Sequence, residues 1–138
     1  MLEILKWIVA QLVADTTLTA IVPTANIYTG PVDVLVEQQD ELHMPLIVLS
    51  SVSEAQRTVP QGARDTMIQI DIWSRVSQLE LEQIYEEIIS LLSFRIANQD
   101  SAHIFWDRLG GSVDTFEEDR RIWHRSATFM FWSIKGDQ

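Results

Sequence analysis

Cysteine does not occur in the 138-residue chain. Its absence excludes thiolate nucleophiles, zinc thiolate sites and disulfide staples, and fits a chain folded in a reducing cytoplasm. Positive charge is scarce: ten Lys and Arg stand against twenty Asp and Glu, for a formal charge of -10. Such an excess opposes counterion release on nucleic acid, so a conventional DNA or RNA reader is disfavoured. Internal repeats, low-complexity stretches and a dividing linker are missing. One domain over residues 1–138 follows, long enough to bury roughly two-thirds of its unfolded surface. The apolar N-terminal run has no cationic leader and is interrupted by Lys6 and Gln11. It reads as an amphipathic helix of the mature protein, not a signal peptide or a membrane span.

Catalytic signatures are missing as well. His43, His103 and His124 lie far apart and show no metal-site spacing. The acidic pairs Asp40–Glu41 and Glu86–Glu87 are adjacent, so on a helix they point about 100° apart and cannot share one scissile bond. Gly110-Gly111-Ser112 lacks the helix that follows a nucleophile elbow. No Gly-rich loop feeds a helix as a phosphate cradle would. Neither an enzyme nor a cofactor is expected.

What is present is a pattern of strands and helices. In Met67–Trp73 the isoleucines 68, 70 and 72 point to one side, and Met67, Gln69, Asp71 and Trp73 to the other. Ser77 and Glu80 have capping-box spacing, and Leu81, Ile84, Tyr85, Ile88, Leu91 and Leu92 then form one helical stripe. An N-terminal helix with the stripe Leu2, Leu5, Ile8, Val9, Leu12 and Val13 should stop near Asp15, and Thr16 or Thr17 can cap a short second turn ended by Pro23. A short extended piece at Asn26–Pro31 precedes an acidic loop over Val32–Met44. Pro45–Ser53 is a strand paired with Met67–Trp73 through a hairpin tipped by Val59–Ala63. Asn98–Ser101 reads as a turn, Ala102–Leu109 as a strand ended by Gly110–Gly111, and Val113–Phe116 as another short strand. Ile122–Ile134 is the last strand, with Trp123, Ala127, Phe129 and Phe131 on one face and Ile122, Met130, Trp132 and Ile134 on the other. The fold class is α+β: a mostly antiparallel sheet of four to five strands, an N-terminal and a central helix on one face, and a long hairpin arm.

Three features admit two readings each. Trp73 shares its face with Gln69 and Asp71 and suits a core or an interface. The hairpin tip is either a disordered connection or a docking arm. Glu80, Glu82, Glu86 and Glu87 lie where no Lys or Arg occurs between Arg75 and Arg95. They make either a solvated face or one that repels a polyanion or meets a basic partner.

The succession Leu18–Val22, Asn26–Tyr28, Met44–Val48 and Gln69–Ser74 before an acidic amphipathic helix resembles the tail-completion or tail-terminator proteins of long-tailed phages, prophages and gene transfer agents. The resemblance implies a structural virion protein that caps the head-proximal end of the tail tube, stops its polymerisation and meets the head connector, as a hexameric ring. It implies as partners further copies of the chain, the tail tube protein and the head-completion protein, with DNA passing through the ring unbound and no membrane. The location implied is the virion's head-tail junction, after assembly in the host cytoplasm. On this reading Trp73, Phe131, Trp132, Arg57, Pro60 and Arg64 are candidates for contact with subunits or tube. Glu82, Glu86 and Glu87 are candidates for the channel side. A small acidic inhibitor covering a basic partner is the alternative.

Overall fold

Period-two alternation along the central strands decides how the layers stack. The computed structural model describes residues 2–30, 44–56, 63–119 and 121–135. Among these residues three α-helices, α1 (Leu2–Ala14), α2 (Thr16–Ile21) and α3 (Gln78–Leu92), accompany six strands: β1 (Ile27–Thr29), β2 (Leu46–Gln56), β3 (Ala63–Ser74), β4 (Ile96–Gln99), β5 (Ala102–Glu117) and β6 (Ile122–Lys135). They form one sheet in the order β1-β2-β3-β6-β5-β4. All neighbours are antiparallel except β1, which runs parallel to β2. The sheet is therefore six-stranded and mixed, where four to five strands were expected. The added strands are the two short edges, whose three and four residues are too few to show a period.

The isoleucines 68, 70 and 72 are completely buried on the face covered by helices, together with Ile47 and Leu49 of β2 and Ala127, Phe129 and Phe131 of β6. From above, α3 contributes Leu81, Ile84, Tyr85, Ile88 and Leu92. From α1 come Ile4, Trp7, Ile8 and Leu12, while Val13 stays 38% exposed. The expected stripe of α1 is thus rotated: Trp7 enters the core, where its ring meets Phe131 edge-on at 5.9 Å. A helix that reaches from β4 to β1, both of which α1 touches, turns its widest residue toward the deepest part of the sheet.

Local chemistry sets the boundaries. Asp15, not Thr16 or Thr17, caps α2: its Oδ2 accepts from the Leu18 amide at 2.9 Å. Ser77 caps α3 by accepting from the Glu80 amide at 3.1 Å, which is half of a capping box. The other half is altered, because the Glu80 carboxylate accepts from Ser74 Oγ at 2.7 Å and so ties the helix start to the end of β3. Gly110 does not end a strand. β5 continues through it as a single 16-residue strand with irregular register at Asp107 and Gly110. A Cβ at Gly110 would lie 2.2 Å from Thr128 Oγ1, and Gly111 has φ +116°, so these glycines permit close pairing with β6. The expected turn at Asn98–Ser101 shortens to Asp100 and Ser101, both at positive φ, and Asn98 and Gln99 belong to β4.

Thr66 is fully buried within the sheet, and its hydroxyl has no hydrogen-bond partner among the described residues. An unpaired buried hydroxyl costs free energy that an isosteric methyl does not. Thr66→Val is expected to raise stability by about 1 kcal/mol in urea denaturation.

Candidate interaction surfaces

The face of the sheet turned away from the helices carries a second, smaller cluster. Leu46, Val48, Trp73 and Ile122 are buried there, with Tyr28 and Met44 packed against them. Trp73 lies flat on His124, ring centroids 4.3 Å apart. His124 Nε2 is 2.7 Å from Asp71 Oδ1, and Gln69 Nε2 donates to Asp71 Oδ2 at 2.8 Å. Asp71 is 1% exposed, so these bonds satisfy a carboxylate that could not otherwise be buried. Further along, Phe105 stacks on Trp132 at 4.0 Å beside the cross-strand pair Met67 and Met130, all four partly exposed. This end of the face presents an apolar surface to solvent.

The contact candidates separate accordingly. Phe131 is fully buried in the main core, edge-on to Trp106 at 5.6 Å, and Trp73 is 3% exposed. Both are core residues of their own chain. For Phe131 the reason is its odd position on β6, which faces the helices. For Trp73 it is the cover supplied by Leu46 and Ile122. Trp132, on the opposite side of β6, keeps accessible surface. Arg64 is exposed and 3.4 Å from Glu54 across the β2–β3 hairpin. Arg57, Pro60, His43 and all of the expected Val32–Met44 loop except Met44 lie outside the described residues. His103 pairs with Asn98 across the β4–β5 turn.

The acidic helix α3 has a counter-charge that its own sequence lacks. Arg125 of β6 is only 7% exposed. Its Nε and Nη2 donate to both oxygens of Asp114 at 2.6 and 2.9 Å, its Nη1 donates to Glu82, and its guanidinium lies 4.9 Å over the Tyr85 ring. Gln78 adds a bond to Asp114 at 2.8 Å. The cluster rivets α3 to β5 and β6, and Glu82 is consequently a neutralised charge, not a free one. Glu86 is exposed, and Glu87 sits beside Asp15. Among the described residues no group of side chains is arranged to hold a metal ion, and no helix is long and apolar enough to cross a membrane.

Hydrogen bonds from Arg125 hold Glu82 and Asp114 below the usual carboxylate range. A carboxyl with a lowered folded pKa stabilises the fold above its unfolded value, and that contribution is lost as pH falls through the folded value. Arg125→Met is expected to cost about 3 kcal/mol at neutral pH, the low end for stranding buried charge because Glu82 is half exposed. In urea denaturation the deficit should shrink below about pH 5 as the two carboxyls protonate. Glu87 moves the other way: a hydrogen bond shared with Asp15, then burial, raises its pKa. Its favourable contribution is present in acid and disappears as pH rises through the folded value. Glu87→Gln should therefore raise Tm at neutral pH and leave it unchanged in acid.

A family model described as tail completion protein gp17 matches residues 6–133. Among solved structures, a chain from a virion of a native gene transfer agent (GTA) particle superposes with a TM-score of 0.60 at 13% identity, over 91% of this chain and 90% of that one. At that identity the likeness is one of fold. No curated protein sequence matches significantly.

Proposed function

Because the chain belongs to the tail completion protein gp17 family, we propose that it is a structural protein that closes the head-proximal end of a phage-type tail tube. In this reading copies assemble into a hexameric ring, which seats on the last tube ring and occludes the surface on which the next would add. The opposite side of the ring meets the head connector. The match over residues 6–133 carries the proposal. It is supported by the partly exposed Phe105–Trp132 stack on a sheet face that no helix covers among the described residues.

The mechanism contains no bond chemistry. His124, the best placed histidine, is engaged by Asp71 and Trp73 in holding the second sheet face. Length control comes from occlusion, and many weak contacts acting at once make the capped state long-lived. The charge of -10 lets DNA pass through such a ring without adhering.

Purified tail tube protein from the same genome supplies the test. Added during polymerisation, the chain should shorten the tubes in proportion to its concentration and appear by electron microscopy at one tube end. Tubes of unchanged length, with the chain monomeric beside them, would refute the proposal. A monomer that instead inhibits a basic enzyme would point to the acidic inhibitor.

A further inference from the structure

Among the described residues the register of the sheet breaks only on β2 and β5, the two long strands that lie next to its edges. In the middle, β3 and β6 pair without interruption from Ala63–Ile134 to Ser74–Trp123. β2 holds an extra residue, Val52, between the pairs Ser51–Ile68 and Ser53–Met67. β5 holds two: Asp107 between Trp106–Phe131 and Arg108–Met130, and Gly110 between Leu109–Phe129 and Gly111–Thr128. An extra residue of this kind bends its strand and sharpens the local twist.

The breaks fall where the short edge strands give no cover. β1 pairs with Ile47–Leu49 of β2, and β4 pairs with Ala102–Phe105 of β5. Val52 lies beyond the first, and Asp107 and Gly110 beyond the second. From Arg108 to Phe116 no strand among the described residues runs along the outer side of β5. On this stretch Leu109, Val113 and Phe116 are 40%, 66% and 41% exposed. An open edge with apolar side chains is a template for pairing with another chain, and proteins blunt it with lysine, proline, charge or a bulge. β5 contains neither lysine nor proline. Its charges are spoken for within the chain: Arg108 is 2.9 Å from Asp107, and Asp114 is 2.6 Å from Arg125. The bulges are the device that is left.

We propose that the extra residues Asp107 and Gly110 guard the sheet edge: they bend β5 away from the geometry that a further strand requires, and so keep copies of this chain from joining by extension of the sheet. The guard is independent of the tube-capping reading. It removes strand addition at β5 as a way for subunits to meet.

Deletion of both residues tests it, because the cross-strand pairs on either side then become consecutive and every partner on β6 is kept. The shortened chain should retain its near-ultraviolet circular dichroism. In sedimentation velocity it should self-associate at a protein concentration lower by about tenfold or more than the unaltered chain, since cross-strand pairs become available along the straightened edge. Adding Val113→Lys to the deletion puts a charge on that edge and should return association to the level of the unaltered chain. A folded deletion variant that associates no more readily than the unaltered chain overturns the proposal, and so does association that Val113→Lys leaves in place. If the deletion does not fold, amide hydrogen exchange of the unaltered chain gives the answer. The outward-facing amides between Arg108 and Phe116 should exchange equally fast in dilute and concentrated solution, and protection that rises with concentration overturns the guard.

Discussion

Burial of the three isoleucines at the centre of β3 is the constraint to which the other elements conform. Ile68, Ile70 and Ile72 have no exposed surface. To hide them, β2 and β6 must flank β3, and α1 and α3 must lie over it. The same alternation sends Met67, Gln69, Asp71 and Trp73 to the opposite face, where no helix lies among the described residues. On that face the described residues form a stack of Trp73 on His124, a satisfied Asp71, and a small apolar cluster around Leu46. One strand therefore yields a thick core on one side and a thin, partly open surface on the other.

Electrostatics is organised around the same sheet. The buried guanidinium of Arg125 meets Asp114 on the neighbouring strand and Glu82 on α3. It thus offsets part of the like-charge repulsion that α3 cannot relieve internally. Glu86 stays exposed. The outcome is a junction whose charges are paired where the layers join.

The aromatic residues divide by layer. Trp7, Phe129 and Phe131 interlock in the main core, with Trp106 at its margin. Phe105 and Trp132 lie across the sheet, and Phe94 stands clear of it. Richness in aromatic groups alone says little about contact with partners, since most of the rings serve packing within the chain. Phe94, with its left-handed backbone, is the ring left most exposed among the described residues.

Much of the fold was legible along the chain. β2, β3, β6 and α3 announce themselves through period two or a helical stripe, and Ser77 marks where α3 begins. These are local signals, governed by neighbours within a few residues. Others depended on partners distant in sequence. β4 is four residues long and exists because β5 pairs with it, and Gly110 reads as a stop until Thr128 is found pressed against it. Phe131 and Trp132 are adjacent and equally apolar, so contact roles for both were plausible from the chain. Only the position of the helices decides that Phe131 is core and Trp132 is surface. Arg125 is unremarkable in sequence, being separated from Glu82 by 43 residues. The amino-acid order by itself determined the elements, the absence of thiol chemistry, the negative charge and the family pattern, because composition and short-range periodicity survive in one dimension. Tertiary structure alone decided which face is covered, which charges neutralise one another and which aromatic ring is left in water, because those properties belong to pairs of surfaces that meet only when the sheet is assembled.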